Sequence, residues 1–71
     1  MDRTKTGALI AAARKEQNMT QKELAERTGI NQADVSKLEK GTRNPSIAIL
    51  KRIAEGLDMD LNIQFTPRNK T

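Results

Sequence analysis

Met19-Thr-Gln-Lys-Glu-Leu-Ala-Glu-Arg-Thr-Gly-Ile-Asn-Gln-Ala-Asp-Val-Ser-Lys-Leu-Glu-Lys-Gly-Thr-Arg-Asn-Pro-Ser46 is the stretch from which the fold of this chain is read. It holds two short helical windows separated by a glycine turn. Thr20 caps the first, and Glu23 three positions on completes a capping box in which each side chain satisfies the other residue's amide. Leu24 and Ala25 face inward, and Thr28-Gly29 ends the helix after barely two turns, with Gly29 free to take positive φ. Asn31 caps the second window. Asp34 stands three positions later, an imperfect box whose charge suits the first turn of a helix. Val35 and Leu38 form the inward stripe at i and i+3. Gly41 closes this helix, and Thr42-Arg43-Asn44-Pro45 is a turn that Pro45 keeps from being helical. A short turn with a glycine sets the second helix steeply across the first, and Ala25 is small where the two approach.

Outward from this pair, the pattern continues helical on both sides. Thr6 to Gln17 is an alanine-rich window with Leu9, Ile10 and Ala13 as its buried stripe, and Asn18 tolerates the left-handed conformation just past a helix end. Ser46 caps a fourth helix, in which Ile47, Leu50, Ile53, Ala54 and Leu57 recur at helical spacing and Gly56 lowers the propensity near the end. The period then changes. Asp60-Leu61-Asn62-Ile63-Gln64-Phe65 alternates polar and apolar, the pattern of a half-buried strand, and Pro67 stops it. A lone strand cannot satisfy its own backbone. It therefore pairs with the same strand of a second copy across a two-fold axis, burying Leu61, Ile63 and Phe65, the alternatives being a disordered tail or a strand folded back on its own helices. The expected organisation is a flexible segment over 1–5, a helical domain over 6–59, a strand over 60–66 and a flexible tail over 67–71.

Composition limits what such a chain does. Its 71 residues are 35% hydrophobic, with 13 Lys+Arg against 9 Asp+Glu for a net charge of +4, one Phe, and no Cys, His, Trp or Tyr. This is one domain with a small aliphatic core, for which a second subunit could supply missing burial. Disulfides, thiolate chemistry and imidazole or cysteine metal sites are excluded. No nucleophile–base set exists, so no enzyme activity, cofactor, metal or small-molecule ligand is expected. One Phe makes a poor platform for single-stranded nucleic acid. No apolar run approaches a membrane span and no signal-peptide region is seen, so a cytoplasmic protein is expected. The basic excess points weakly to a polyanionic partner.

The order T-Q-x-x-L-A, then G, then a cap followed by Q, then S-x-L-E-x-G, then N-P-S resembles the Cro/lambda-repressor-type (Xre) helix-turn-helix family, over about residues 6–59. The resemblance implies a mainly α fold: a compact four-helix domain, here with the added C-terminal strand. It also implies a sequence-specific regulator of transcription, most simply a repressor, that binds double-stranded DNA as a homodimer on a pseudo-palindrome. The second helix of the pair would enter the major groove, with Gln32, Ala33, Ser36 and Lys37 facing the bases. Gln32 can pair bidentately with adenine and Lys37 can reach guanine acceptors, while Ala33 offers only apolar contact to a thymine methyl. Gln21, Asn31, Lys40, Thr42, Arg43 and Asn44 would hold phosphates. In this family an acid at position 39 pairs with an arginine on the first helix, which makes Arg14–Glu39 a structural ion pair.

The terminal strand departs from the repressor pattern and resembles that of Xre-type antitoxins. With no ligand-binding domain expected, the alternative reading is an interaction protein that binds a partner toxin and represses its own operon.

Overall fold

The structure is a computed structural model that describes residues 3–63, 65 and 67, the side chain of Arg3 excepted. Four helices follow one another: α1 (Arg3–Glu16), α2 (Gln21–Thr28), α3 (Gln32–Lys40) and α4 (Ile47–Gly56). Their boundaries lie where short-range chemistry puts them. In the capping box of α2, Thr20 Oγ1 accepts from the Glu23 amide at 3.0 Å and Glu23 Oε1 accepts from the Thr20 amide at 3.1 Å. Asn31 Oδ1 accepts from the Ala33 amide at 2.8 Å, and Ser46 Oγ from the Ile49 amide at 3.1 Å. Gly29, at φ 72°, returns its amide to the Ala25 carbonyl and turns the chain out of α2. The other three helices end alike, each with a left-handed residue whose successor reaches back five positions. Asn18, Gly41 and Asp58 adopt φ of 55°, 77° and 55°. The amides of Met19, Thr42 and Met59 bond the carbonyls of Arg14, Lys37 and Ala54 at 3.1, 3.0 and 2.8 Å. These bonds satisfy carbonyls that a helix end would otherwise orphan, and the Leu57 carbonyl at the end of α4 accepts from Gln17 Nε2 at 2.7 Å.

One aliphatic cluster holds the helices together: Ile10, Met19, Leu24, Ala25, Ile30, Val35, Leu38, Leu50, Ile53 and Leu57, with Ala13, Ile49 and Leu61 packed against it. α3 lies against α1 and α2, and α2 also rests on α4. Two glycines mark where backbones meet. A Cβ at Gly7 would run into the carbonyl oxygens of Leu38 and Glu39, so α1 crosses the end of α3 at a distance only glycine permits. A Cβ at Gly56 would stand 2.6 Å from Thr28 Cγ2, which gives this residue a packing role between α4 and α2. Gly7→Ala is therefore expected to destabilise the fold. Overpacking of about 1–3 kcal/mol outweighs the gain of about 1 kcal/mol in helix propensity. Thermal unfolding followed by helical circular dichroism should show a lower midpoint, and a raised one would mean a looser contact between α1 and α3.

Three expectations are corrected. The anticipated C-terminal strand is absent: none of residues 60–63, 65 and 67 is in a strand, and among the described residues the fold is four helices with no sheet. Alternation specifies a strand only where a second edge accepts its backbone bonds, and the described residues of this chain provide none. Leu61 instead turns back, half-buried, onto the helical core, while Ile63 is 40% and Phe65 99% exposed. Gln64 and Thr66 of that segment, residues 1 and 2 of the N-terminal segment, and 68–71 of the tail lie outside the described residues. Next, α1 starts at Arg3, earlier than the window from Thr6. Finally, Leu9, expected in the buried stripe of α1, is 71% exposed, and Ile47, the first residue of the apolar repeat in α4, is 58% exposed. α1 turns Thr6, Gly7 and Ile10 inward instead, because the close crossing with α3 at Gly7 sets its rotation.

Candidate nucleic-acid interface

The glycine turn Gly29–Asn31 delivers α3 with Val35 and Leu38 buried at 0% and 1% exposure. Helical spacing then dictates what faces outward. Gln32, Ala33, Lys37 and Lys40 are exposed, Ser36 and Asp34 half-buried on the flanks. Asn31, with its side-chain oxygen engaged as the cap, stands exposed at the N-terminal end of this face, and Thr42 and Asn44 at the other. Thr42 Oγ1 also donates to the Lys37 carbonyl at 3.2 Å, tying the loop to the end of α3. This brings Gln32, Ala33, Ser36, Lys37 and Lys40 onto a single helix surface.

The orientation of that surface is set by one carboxylate. Glu39 projects from the inner side of α3, 7% exposed, and meets Arg14, 11% exposed. Arg14 Nε donates to Glu39 Oε2 at 2.7 Å and Nη2 to Oε1 at 3.0 Å, a bidentate pair between α1 and α3. The guanidinium also donates through Nη1 to the Met19 carbonyl at 2.8 Å, which fixes the connection into α2. Gln21, the first residue of α2, donates Nε2 to Glu39 Oε1 at 3.1 Å. Three helices thus converge on Glu39. Burial pushes its carboxyl pKa up, but the hydrogen bonds from Arg14 and Gln21 and the charges of Arg14 and Lys15 outweigh this, and it lies below its ordinary value.

Two of these contacts were not legible in the sequence. Gln21 was assigned to a phosphate, yet its amide nitrogen is held by Glu39. Beside it stand the backbone amides of Gln21 and Lys22, which have no acceptor within their helix, whereas the Glu23 amide is taken by Thr20 Oγ1. Arg43, also assigned to a phosphate, pairs with Asp34: Nη1 to Oδ2 is 2.9 Å, with both side chains 38% exposed. Opposite charges nine positions apart across a helix end follow no periodicity, so no pattern points to this pair. The cap and dipole role read for Asp34 misses it.

On another side of the molecule lies an open, mainly apolar groove of about 450 Å³ between α1, α4 and the C-terminal segment. Leu9, Ala13, Leu50, Leu57, Met59 and Leu61 line it, and no residue of α2 or α3 contributes. Among the described residues no group of acidic side chains is placed to hold a metal ion, and no helix is long and apolar enough to cross a membrane.

Comparison with known proteins places these features. The sequence pattern of the helix-turn-helix family matches residues 10–64. The HTH-type transcriptional regulator y4dJ of Sinorhizobium fredii is 36% identical over 65 residues, covering 92% of this chain and 84% of that protein. A longer regulator of the same organism, y4dL, is 38% identical over 52 residues, 73% of this chain but 26% of that protein. Among solved structures, the restriction-modification controller protein C.AhdI from Aeromonas hydrophila superposes with a TM-score of 0.81 at 29% identity, over 83% of this chain and 89% of that one. The controller protein C.Esp1396I, solved as a tetramer with its natural 35 base-pair operator, superposes with a TM-score of 0.79 at 31% identity, over 82% of this chain and 76% of that one.

Proposed function

The chain belongs to the helix-turn-helix family, of Cro/lambda-repressor type, and is a DNA-binding regulator of transcription; on that premise we propose that it acts as a homodimeric repressor that occludes a pseudo-palindromic operator. The observation that carries this reading is the exposed face of α3, rigidly presented by the Arg14–Glu39–Gln21 clamp. Gln32 and Lys37 read base edges in the major groove, with Ala33 and Ser36 against the same bases. The amides at the start of α2, with Gln21, Asn31, Lys40, Thr42 and Asn44, engage the flanking phosphates. A second copy covers the apolar groove beside Leu9, and Leu61, Ile63 and Phe65, which border it or follow it in the chain, contribute to that contact. The operator-bound assembly of C.Esp1396I supports an oligomer as the working form. The antitoxin alternative drew on a terminal strand that the described residues do not form, and no other observation favours a toxin partner.

Selection from a random duplex library tests the reading. Enriched sites should hold two half-sites about one helical turn apart. Lys37→Ala should relax one position of each half-site and weaken operator binding by about 1–3 kcal/mol. A library in which nothing rises above bulk DNA at low salt would falsify sequence-specific recognition.

A further inference from the structure

Three cations flank the exposed side of α3, and they are not equivalent. Lys37 and Lys40 are exposed and form no ion pair among the described residues. Arg43 lies across the flank of α3 with Nη1 2.9 Å from Asp34 Oδ2. Asp34 is also the only carboxylate of α3 free to act outward, because Glu39 is enclosed by Arg14 and Gln21. Resting on the DNA-binding reading above, we propose that Asp34 suppresses sequence-independent binding by holding Arg43 away from phosphates.

The argument is electrostatic. Binding to DNA of any sequence is driven by phosphate neutralisation and counterion release, so its strength counts the cations that are available. An arginine already matched by a carboxylate adds little to that count. The pair is too exposed to matter greatly for folding. Base contacts by Gln32 and Lys37 do not involve it. In an operator complex those contacts fix the register of α3, so a freed Arg43 meets a phosphate only if one falls within reach. Sequence-independent binding samples every register and recruits any free cation. Asp34 therefore taxes random DNA at least as heavily as the operator.

The experiment measures affinity for random-sequence duplex against salt for the full chain and its Asp34→Asn, Arg43→Ala and doubly substituted variants. Asp34→Asn should bind random duplex roughly eightfold more tightly per engaged subunit at 0.1 M salt, with a log–log salt slope steeper by about 0.9. Arg43→Ala alone should change little, and in the Asp34→Asn background it should abolish the gain. Asp34→Ser should behave as Asp34→Asn, and both should melt close to the wild type. Unchanged affinity and slope in Asp34→Asn would overturn the proposal. So would an equal loss from Arg43→Ala in either background, since Arg43 would then already be on a phosphate. A wild-type chain without affinity for any duplex would overturn the DNA-binding reading itself, a distinct result.

Discussion

Glu39→Ala is expected to cost about 3–5 kcal/mol of unfolding free energy, the penalty for stranding a buried charge. Arg14, 11% exposed, would lose both of its carboxylate bonds, and Gln21 would lose the acceptor for its side-chain amide. A domain of this length commonly has only about 3–5 kcal/mol to spare. Urea titration should accordingly find much of the variant unfolded without denaturant, and a midpoint near the wild type's would show that α1 and α3 are held by apolar packing alone. Replacing both partners, Arg14→Leu with Glu39→Leu, should recover most of the loss, because no unpaired charge remains. Recovery should stay incomplete, since the Met19 carbonyl loses the donor it has at 2.8 Å. The same carboxylate sets an acid limit. Its pKa is lowered on folding, so its stabilisation is complete above the unfolded value of about 4.3 and disappears as the pH falls through the lower folded value. The stability difference between wild type and Glu39→Gln should be constant near neutral pH and shrink on acidification.

Leu9→Asp should have the larger effect on DNA binding. Leu9 is 71% exposed on one chain, so the substitution leaves the monomer's core intact. In the proposed dimer it would place a carboxylate in an apolar contact. Sedimentation should report a monomer. Operator affinity should fall by about two to four orders of magnitude, because linked half-site contacts raise avidity by that factor. Ile63→Asp, at a residue 40% exposed, tests the other end of the same contact. A variant of Leu9 that remains dimeric would move the interface away from the groove.

The two predictions draw on different kinds of information. Arg14–Glu39 came from resemblance to a known family, and the structure adds Gln21 and Met19 to it. Leu9 was misassigned. Hydrophobic spacing on α1 fits Leu9 in the stripe as well as Ile10, and only the crossing at Gly7 decides which faces the core. Ile47, which shares the helical spacing of α4, is likewise exposed at the start of that helix. The strand over 60–66 failed for a further reason. Its pattern is local but its bonds are not, and among the described residues there is no edge to receive them.

What the sequence determined by itself was the set of helices and the turn that makes two of them a DNA-reading pair. Thr20, Glu23, Gly29, Asn31, Gly41 and Ser46 act on amides and carbonyls within five positions, and Leu24, Val35, Leu38, Leu50 and Ile53 recur at the helical period. Such signals are complete in a short window. Beyond the Arg14–Glu39 pair that the family resemblance implied, tertiary structure alone decided which charges are matched. Asp34 takes Arg43 and Glu39 takes Arg14 and Gln21, while Lys37 and Lys40 face outward without an ion pair among the described residues. Charge pairing depends on distance through space, and distances between helices are set by close approaches such as Gly7 on α3 and Gly56 on α2, which no spacing in the chain encodes.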